Sequence, residues 1–216
     1  MSRLFFIGLV AVVLTGLAAW RINQVSSSET LFESKFKPAQ AAPMCPWREP
    51  EADLKTFFTN ATRYQTETRI LSGLRQELSQ RLGRQPTGDE NALRLYRIYQ
   101  QDTPVGAVLT SRVKGQFGAI ELVLAVNSED NVCGLNLQRL REPKAIADAL
   151  QNPRWLNSFT GKNAASSWKP GSDLPELPSD AQTSAQAVVE GVRTLLILFA
   201  AAEALPSPSS VAAHHD

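Results

Sequence analysis

The sequence predicts an α+β domain, in which an antiparallel sheet is flanked by helices, preceded by one N-terminal transmembrane helix. An apolar run over residues 4–20 just reaches the length of a membrane-spanning helix. Between residues 94 and 140, strand-like segments follow one another with short polar turns between them. Helix-like segments precede and follow these strands instead of alternating with them, which favours an antiparallel sheet over a parallel one.

Length and composition set the predicted domain organisation. The chain has 216 residues, a formal net charge of +1 and 43% hydrophobic residues, which suits one anchor and one packed domain. We predict a transmembrane anchor over 1–22, a tether over 23–46, a domain over 47–204 and a disordered tail over 205–216. The sequence has no basic stripe interleaved with aromatic residues, so nucleic acid is not a predicted partner.

The apolar run is interpreted as an uncleaved membrane anchor. Arg3 precedes it and favours a cytoplasmic N-terminus, while Trp20 and Arg21 suit the far membrane interface. The alternative is a cleaved signal peptide, since Ala18 and Ala19 lie near the end of the run. The run lacks a closing A-x-A site, which favours the anchor. In both interpretations the rest of the chain lies outside the cytoplasm, and the membrane is a predicted partner.

The cysteines and histidines form no catalytic or metal-binding motif. Cys45 and Cys133 could form a disulfide in an oxidising compartment, and two unpaired thiols are the alternative. His214 and His215 follow a segment rich in proline, serine and alanine. A Ser/His/Asp triad cannot be assembled from histidines in that position, so we predict neither a catalytic residue nor a metal site.

Changes in hydrophobic spacing predict the order of the elements. Apolar residues recur at helical spacing over 54–61 and again from Ile70 to Leu82, with a threonine-rich break between the two helices. Asp102-Thr103-Pro104 is predicted as a turn, and a short helix is predicted near residue 146. Composition and alternation predict four strands, over 94–100, 105–113, 120–126 and 132–140.

The last predicted helix begins in the stretch from Ser179 to Ser184 and continues to Ala202. Asp180, Thr183 and Ser184 are of residue types that cap helix N-termini. The unpaired N–H groups at such a terminus favour a phosphate, and a capped core helix without any ligand is the alternative. Periodicity predicts that the core includes Phe57, Ile120, Leu122, Leu124, Val188, Val192 and Leu195.

The order of these motifs resembles the FMN-binding domain family, which includes subunits of the Rnf electron-transport complex and of the sodium-translocating NADH:quinone reductase. The resemblance covers about Leu54 to Ala202. Its motifs are the glycine-rich entry to a long strand at residues 114–120, the acidic-then-proline turn Glu142-Pro143, and Phe159-Thr160-Gly161-Lys162. The last motif is Ser-Gly-Ala-Thr-x-Thr-Ser-x-Ala-Val-Val-x-Gly-Val, which falls without a gap on residues 179–192.

The resemblance implies an FMN site, but the sequence departs from the family's attachment motif at two positions. In the family, the threonine of Ser-Gly-Ala-Thr carries FMN through a phosphoester bond. Gln182 stands at that position and has no hydroxyl, and Asp180 replaces the glycine and adds a negative charge. Any FMN is therefore expected to bind without a covalent bond, and the absence of any cofactor is the alternative. The cofactor-binding residues implied are Ser179, Ala181, Gln182, Thr183, Ser184, Glu142 and Lys162.

The resemblance implies a single-pass protein of the bacterial inner membrane with most of its chain in the periplasm. Its expected role is electron transport with other membrane-bound subunits, and its activity is at most that of a flavin electron-transfer subunit. The alternative is a flavin-free docking or assembly module that keeps the fold.

Overall fold

The computed structural model describes residues 50–206. The predicted anchor and tether, Cys45 and residues 207–216 of the predicted tail lie outside the described residues. The helices are α1 (Glu51–Phe57), α2 (Arg75–Leu82), α3 (Lys144–Leu150), α4 (Pro153–Asn157) and α5 (Gln182–Glu203). The strands are β1 (Arg63–Ile70), β2 (Ala92–Gln100), β3 (Thr103–Lys114), β4 (Ala119–Asn127) and β5 (Val132–Leu140).

The five strands form one antiparallel sheet, so the predicted α+β fold is confirmed. Each strand pairs with its neighbour in the chain. Alternate strand ends therefore lie together at one end of the sheet. We call this the Lys114 end, and it carries the end of β1, the start of β2, the end of β3, the start of β4 and the end of β5.

The face of the sheet that packs against α5 forms the main core. Ile120, Leu122 and Leu124 of β4 are fully buried there. The predicted α5 residues Val188, Val192 and Leu195 are buried in the same cluster, so the core prediction is confirmed for these six residues. A Cβ on Gly191 would lie 2.5 Å from Cγ1 of Val113 and 2.7 Å from Cδ1 of Leu122. The missing side chain thus lets α5 lie close to the sheet.

The opposite face of the sheet is covered in part by α1. Leu54 of α1 is buried in a smaller cluster, against which Phe57 and Phe58 pack. Phe57 was predicted to be a core residue, but it is only half-buried and packs against the edge of the smaller cluster on this second face. Periodicity located the apolar side of the helix but not the face of the sheet that it covers. The sheet residues of this cluster are Tyr96, Ile98, Val108, Val123 and Ala125.

The threonine-rich segment predicted as a break is strand β1. Most of its side chains are exposed because it lies at the edge of the sheet and pairs with β2 alone. Ile70 ends this strand, and α2 begins only at Arg75, after a 3-10 turn over Ser72–Leu74. The predicted first helix ends early, at Phe57. Thr103 and Pro104, predicted in a turn, begin β3, where a proline can occupy the first positions of a strand.

Among the described residues, α5 is the helix that is long and apolar enough to cross a membrane. Most of that helix is buried inside the domain, because its apolar side chains contact the sheet and neighbouring helices. The N-terminal transmembrane helix falls outside the described residues and stays a prediction.

Candidate functional site

A cavity of about 390 Å³ lies between the first half of α5 and the loop that leads into it. One side of α5 contributes Gln182, Gln186 and Val189, which recur at helical spacing. Trp155 of α4 and Trp168 of the loop contribute large aromatic walls. The cavity is therefore mainly apolar, with two side-chain amides. Its charged lining residues are Glu176, Glu190 and Arg193.

The N-terminus of α5 has no side-chain cap. The N-cap residue is Ala181, which is buried and cannot accept a hydrogen bond through its side chain. The prediction that Asp180, Thr183 or Ser184 caps the helix is therefore wrong. Asp180 and Thr183 are exposed, and Ser184 is fully buried. The N–H groups of the first turn thus remain available for an anion next to the cavity.

Ser184 and Glu142 both hold the loop between β3 and β4. The Oγ of Ser184 accepts a hydrogen bond from the N–H of Gln116 at 2.9 Å, and the carboxylate of Glu142 accepts from the N–H of Phe117 at 3.3 Å. A Cβ on Gly115 would lie 2.0 Å from Oε1 of Glu142, so only glycine allows the carboxylate to approach this closely. Both side chains act on the loop and not on the cavity.

Lys162 supports the aromatic wall of the cavity from outside. Its ammonium donates to the carbonyl of Ser167 at 3.1 Å and lies 5.4 Å from the ring centre of Trp168. Asp173 closes the same loop, accepting from the hydroxyl of Ser167 at 2.7 Å and from the N–H of Lys169 at 2.9 Å. The Ser167 hydroxyl bond, followed by the bond from Lys169, lowers the pKa of the Asp173 carboxyl. The loop that carries Trp168 is therefore held by charged groups.

The structure thus divides the predicted site residues into separate groups. Gln182 lines the cavity, and Lys162 lies behind one wall. Ser184 and Glu142 fix the loop over 115–118. Ser179 and Thr183 are exposed near the helix start, and Ala181 is buried. Sequence reasoning missed the wall residues Trp155, Trp168, Leu174, Leu177, Ala185 and Val189, although the two tryptophans and the helical spacing after Gln182 were visible signals.

The cavity suits the ring system of a flavin better than its phosphate. The tryptophans offer apolar surface for a planar ring, and the amides of Gln182 and Gln186 can both donate to and accept from ring heteroatoms. A phosphate can use the uncapped first turn of α5, but the carboxylate of Asp180 lies one residue before the N-cap and opposes it. Gln182 cannot form a phosphoester, so the residues fit a non-covalent flavin.

A second cavity, of about 430 Å³, lies between α1 and β1. Its lining mixes the charged side chains of Glu51, Lys55 and Arg63 with apolar residues of the smaller cluster. It contains none of the predicted site residues, so the cavity beside α5 is the better candidate site.

Comparison with solved structures shows which fold this is. The crystal structure of a Na(+)-translocating NADH-quinone reductase subunit from Parabacteroides distasonis ATCC 8503 is similar with a TM-score of 0.50 and 12% identity, over 74% of this chain and 87% of that chain. The crystal structure of Shewanella oneidensis NqrC gives a TM-score of 0.47 and 14% identity, over 71% of this chain and 89% of that chain. Neither a protein-family model nor a curated protein sequence matches the chain. The expected FMN-binding-domain-like fold is confirmed by the first of these structures.

Proposed function

We propose that this chain is a membrane-anchored flavoprotein whose domain holds FMN without a covalent bond and takes part in electron transport. The fold that it shares with a subunit of an NADH-quinone reductase is the premise. The observation that supports the proposal most directly is the position of Gln182, which lines the cavity that Trp155 and Trp168 wall. The proposed location is the bacterial inner membrane, with one transmembrane helix and the domain in the periplasm.

In this proposal the flavin supplies the electron-transfer chemistry, and the chain binds and orients it. Trp155 and Trp168 would exclude water from the ring, while Gln182 and Gln186 would hydrogen-bond its polar edge. The first-turn N–H groups of α5 would attract the phosphate. The partners proposed are other membrane-bound electron-transport subunits.

The test compares FMN with riboflavin, which has the same ring but no phosphate. Purified full-length protein in detergent should bind FMN, and denaturation followed by filtration should release all of it. Asp180→Gly should tighten FMN binding about fivefold. It removes roughly 1 kcal/mol of repulsion between the exposed carboxylate and a phosphate a few ångströms away. The same change should leave riboflavin binding unchanged.

Asp102→Asn is the matched control, because Asp102 is fully exposed in the turn between β2 and β3, at the end of the sheet opposite the Lys114 end. It should alter binding of neither ligand. Failure of the wild type and the Asp180→Gly variant to bind FMN would refute the proposal. Equal gains for FMN and riboflavin would show that the phosphate does not lie at the start of α5.

A flavin-free docking or assembly module is the second candidate function, and one observation favours it. The N–H groups of Gln116 and Phe117 already donate to this chain's own Ser184 and Glu142. The glycine-rich loop therefore offers those two donors to no ligand. The docking module becomes the better explanation if neither the wild type nor the Asp180→Gly variant binds FMN or riboflavin. The variant must at the same time keep the thermal unfolding of the wild type.

A further inference from the structure

The cavity beside α5 becomes charged toward the end that lies away from the helix start. Its lining on α5 runs from Gln182 to Arg193, which is about 16 Å along the helix axis. The middle of this stretch is apolar at Val189, while Glu190 and Arg193 lie one helical turn apart and both line the cavity. We call Glu190 and Arg193 the charged end of the cavity.

Arg193 is held in place and still has hydrogen-bond donors to offer. Its Nη2 donates to the carbonyl of Arg81, in the last turn of α2, at 3.2 Å. Its Nη1 lies 3.5 Å from Oε1 of Glu190. A guanidinium has five N–H donors, so these two contacts leave others for a ligand. The side chain is 32% exposed, and part of that surface faces the cavity.

Glu190 places a hydrogen-bond acceptor beside those donors. Oε1 of Glu190 receives the contact from Arg193, and Oε2 makes no hydrogen bond to any residue that the structure describes. The hydrogen bond to Glu90 is the main cause of a raised Arg84 pKa, and the charge of Glu190 adds to it, so Glu190 lies in the field of two arginines. An ionised carboxylate only accepts hydrogen bonds. The charged end therefore combines an acceptor with several donors.

The third charged lining residue, Glu176, belongs to the loop that leads into α5. A Cβ on Gly171 would lie 2.9 Å from Oε1 of Glu176, so this carboxylate lies against the loop. Two carboxylates and one guanidinium give the cavity lining a net negative charge. An anionic group is therefore disfavoured at this end, and a neutral group with one N–H donor beside carbonyl acceptors suits it better.

We propose that Glu190 and Arg193 recognise the imide edge of a flavin ring, in which one N–H lies between two carbonyls. The carboxylate would accept from the imide N–H, and the guanidinium would donate to a neighbouring carbonyl oxygen. Gln186, one turn before Glu190, would bond to the next heteroatoms of the ring. This inference rests on the proposed flavin binding and adds the residues that would select a flavin over a planar ring without an imide.

The experiment compares riboflavin with its N3-methyl derivative, in which a methyl group replaces the imide proton. Full-length wild-type protein in detergent should bind riboflavin about tenfold more tightly, because methylation removes the donor and leaves a carboxylate without its partner. Glu190→Ala should bring the two dissociation constants to within about twofold of each other. Arg193→Gln should weaken both ligands by a similar factor, since both keep the carbonyls.

Glu77→Ala is the matched control. Glu77 also pairs with an arginine of its own helix, Arg81, at 3.5 Å and is 53% exposed, but it does not line the cavity. This variant should bind both ligands as the wild type does. Glu190→Gln keeps the size of the side chain and removes its charge, so it should reduce the preference for riboflavin about threefold.

The outcomes separate this inference from the proposed function. Equal binding of the two ligands by the wild type would overturn the imide assignment and leave flavin binding in place. An unchanged preference in Glu190→Gln would also overturn it, because the methyl group would then be excluded by its bulk alone. Binding of neither ligand by the wild type would overturn this inference together with the proposed function.

Discussion

Two residues at the start of α5 bear on the attachment chemistry of the proposed flavin site. Gln182 has an amide where a phosphoester needs a hydroxyl, and Asp180 adds a negative charge before the uncapped helix N-terminus. The helix itself, from Gln182 to Glu203, keeps its close contact with the sheet through Gly191. The helix is thus closely packed, and the features that oppose a covalent phosphoester belong to individual side chains.

The wild-type chain should therefore acquire no covalent FMN when it is co-expressed with a flavin transferase. The double variant Asp180→Gly/Gln182→Thr restores a hydroxyl and removes the charge, so it should acquire covalent flavin that fluoresces in a denaturing gel. Thr183→Ala in the wild-type background is the control for the neighbouring hydroxyl. A fluorescent wild-type band that this control abolishes would place the attachment at Thr183, and a dark double variant would show that the transferase does not recognise this helix start.

At the scale of elements, the two faces of the sheet differ in how much they stabilise the domain. Leu124 and Leu195 are buried in the main core, so replacing either by alanine should cost about 2–5 kcal/mol of unfolding free energy. Phe57 is half-buried in the smaller cluster, and Phe57→Ala should cost less than either. Chemical denaturation measures all three. Losses below about 0.5 kcal/mol for both leucines would contradict the assignment of the core face.

The elements that could be predicted from sequence are those with a strong apolar pattern. The strand predicted over 132–140 matches β5, and the one predicted over 120–126 lies within β4. In contrast, β1 has no buried face to impose alternation, because it lies at the edge of the sheet. The candidate site was predictable only at Gln182. The two tryptophans and the helical spacing after Gln182 are visible in the sequence, but only the folded chain shows that they line one cavity.

At the scale of the whole molecule, one ion pair ties several parts of the domain together. Arg84, just after α2, forms a bidentate pair with Glu90 ahead of β2, with distances of 2.9 and 2.6 Å, and also reaches Thr194 of α5 at 3.4 Å. The hydrogen bonds from Arg84, followed by a bond from the N–H of Thr87, lower the pKa of Glu90. This carboxylate therefore links the pH to the stability of the packed helices.

The direction of the pH effect follows from that lowered pKa. The pair should contribute its full stability above the unfolded carboxyl pKa of about 4.3 and lose it as the pH falls through the folded value. Thermal unfolding of the wild type and Glu90→Gln should therefore differ at neutral pH and converge in acid. Glu77→Gln is the control, since the Glu77 carboxylate is largely exposed. A constant difference between wild type and Glu90→Gln at all pH values would contradict this linkage.

The order of the strands in the sheet is also their order in the chain, so during synthesis each strand after β1 can pair with the strand that precedes it. The helix that covers the main apolar face of the sheet is synthesised last, because α5 follows every strand in the chain. A nascent chain that has completed β5 but not α5 therefore exposes Leu122, Leu124 and their neighbours to water, where they can aggregate. We expect such an intermediate to bind chaperones until residue 203 has emerged, and we expect a chain that stops before Gln182 to be degraded instead of accumulating as a partly folded sheet.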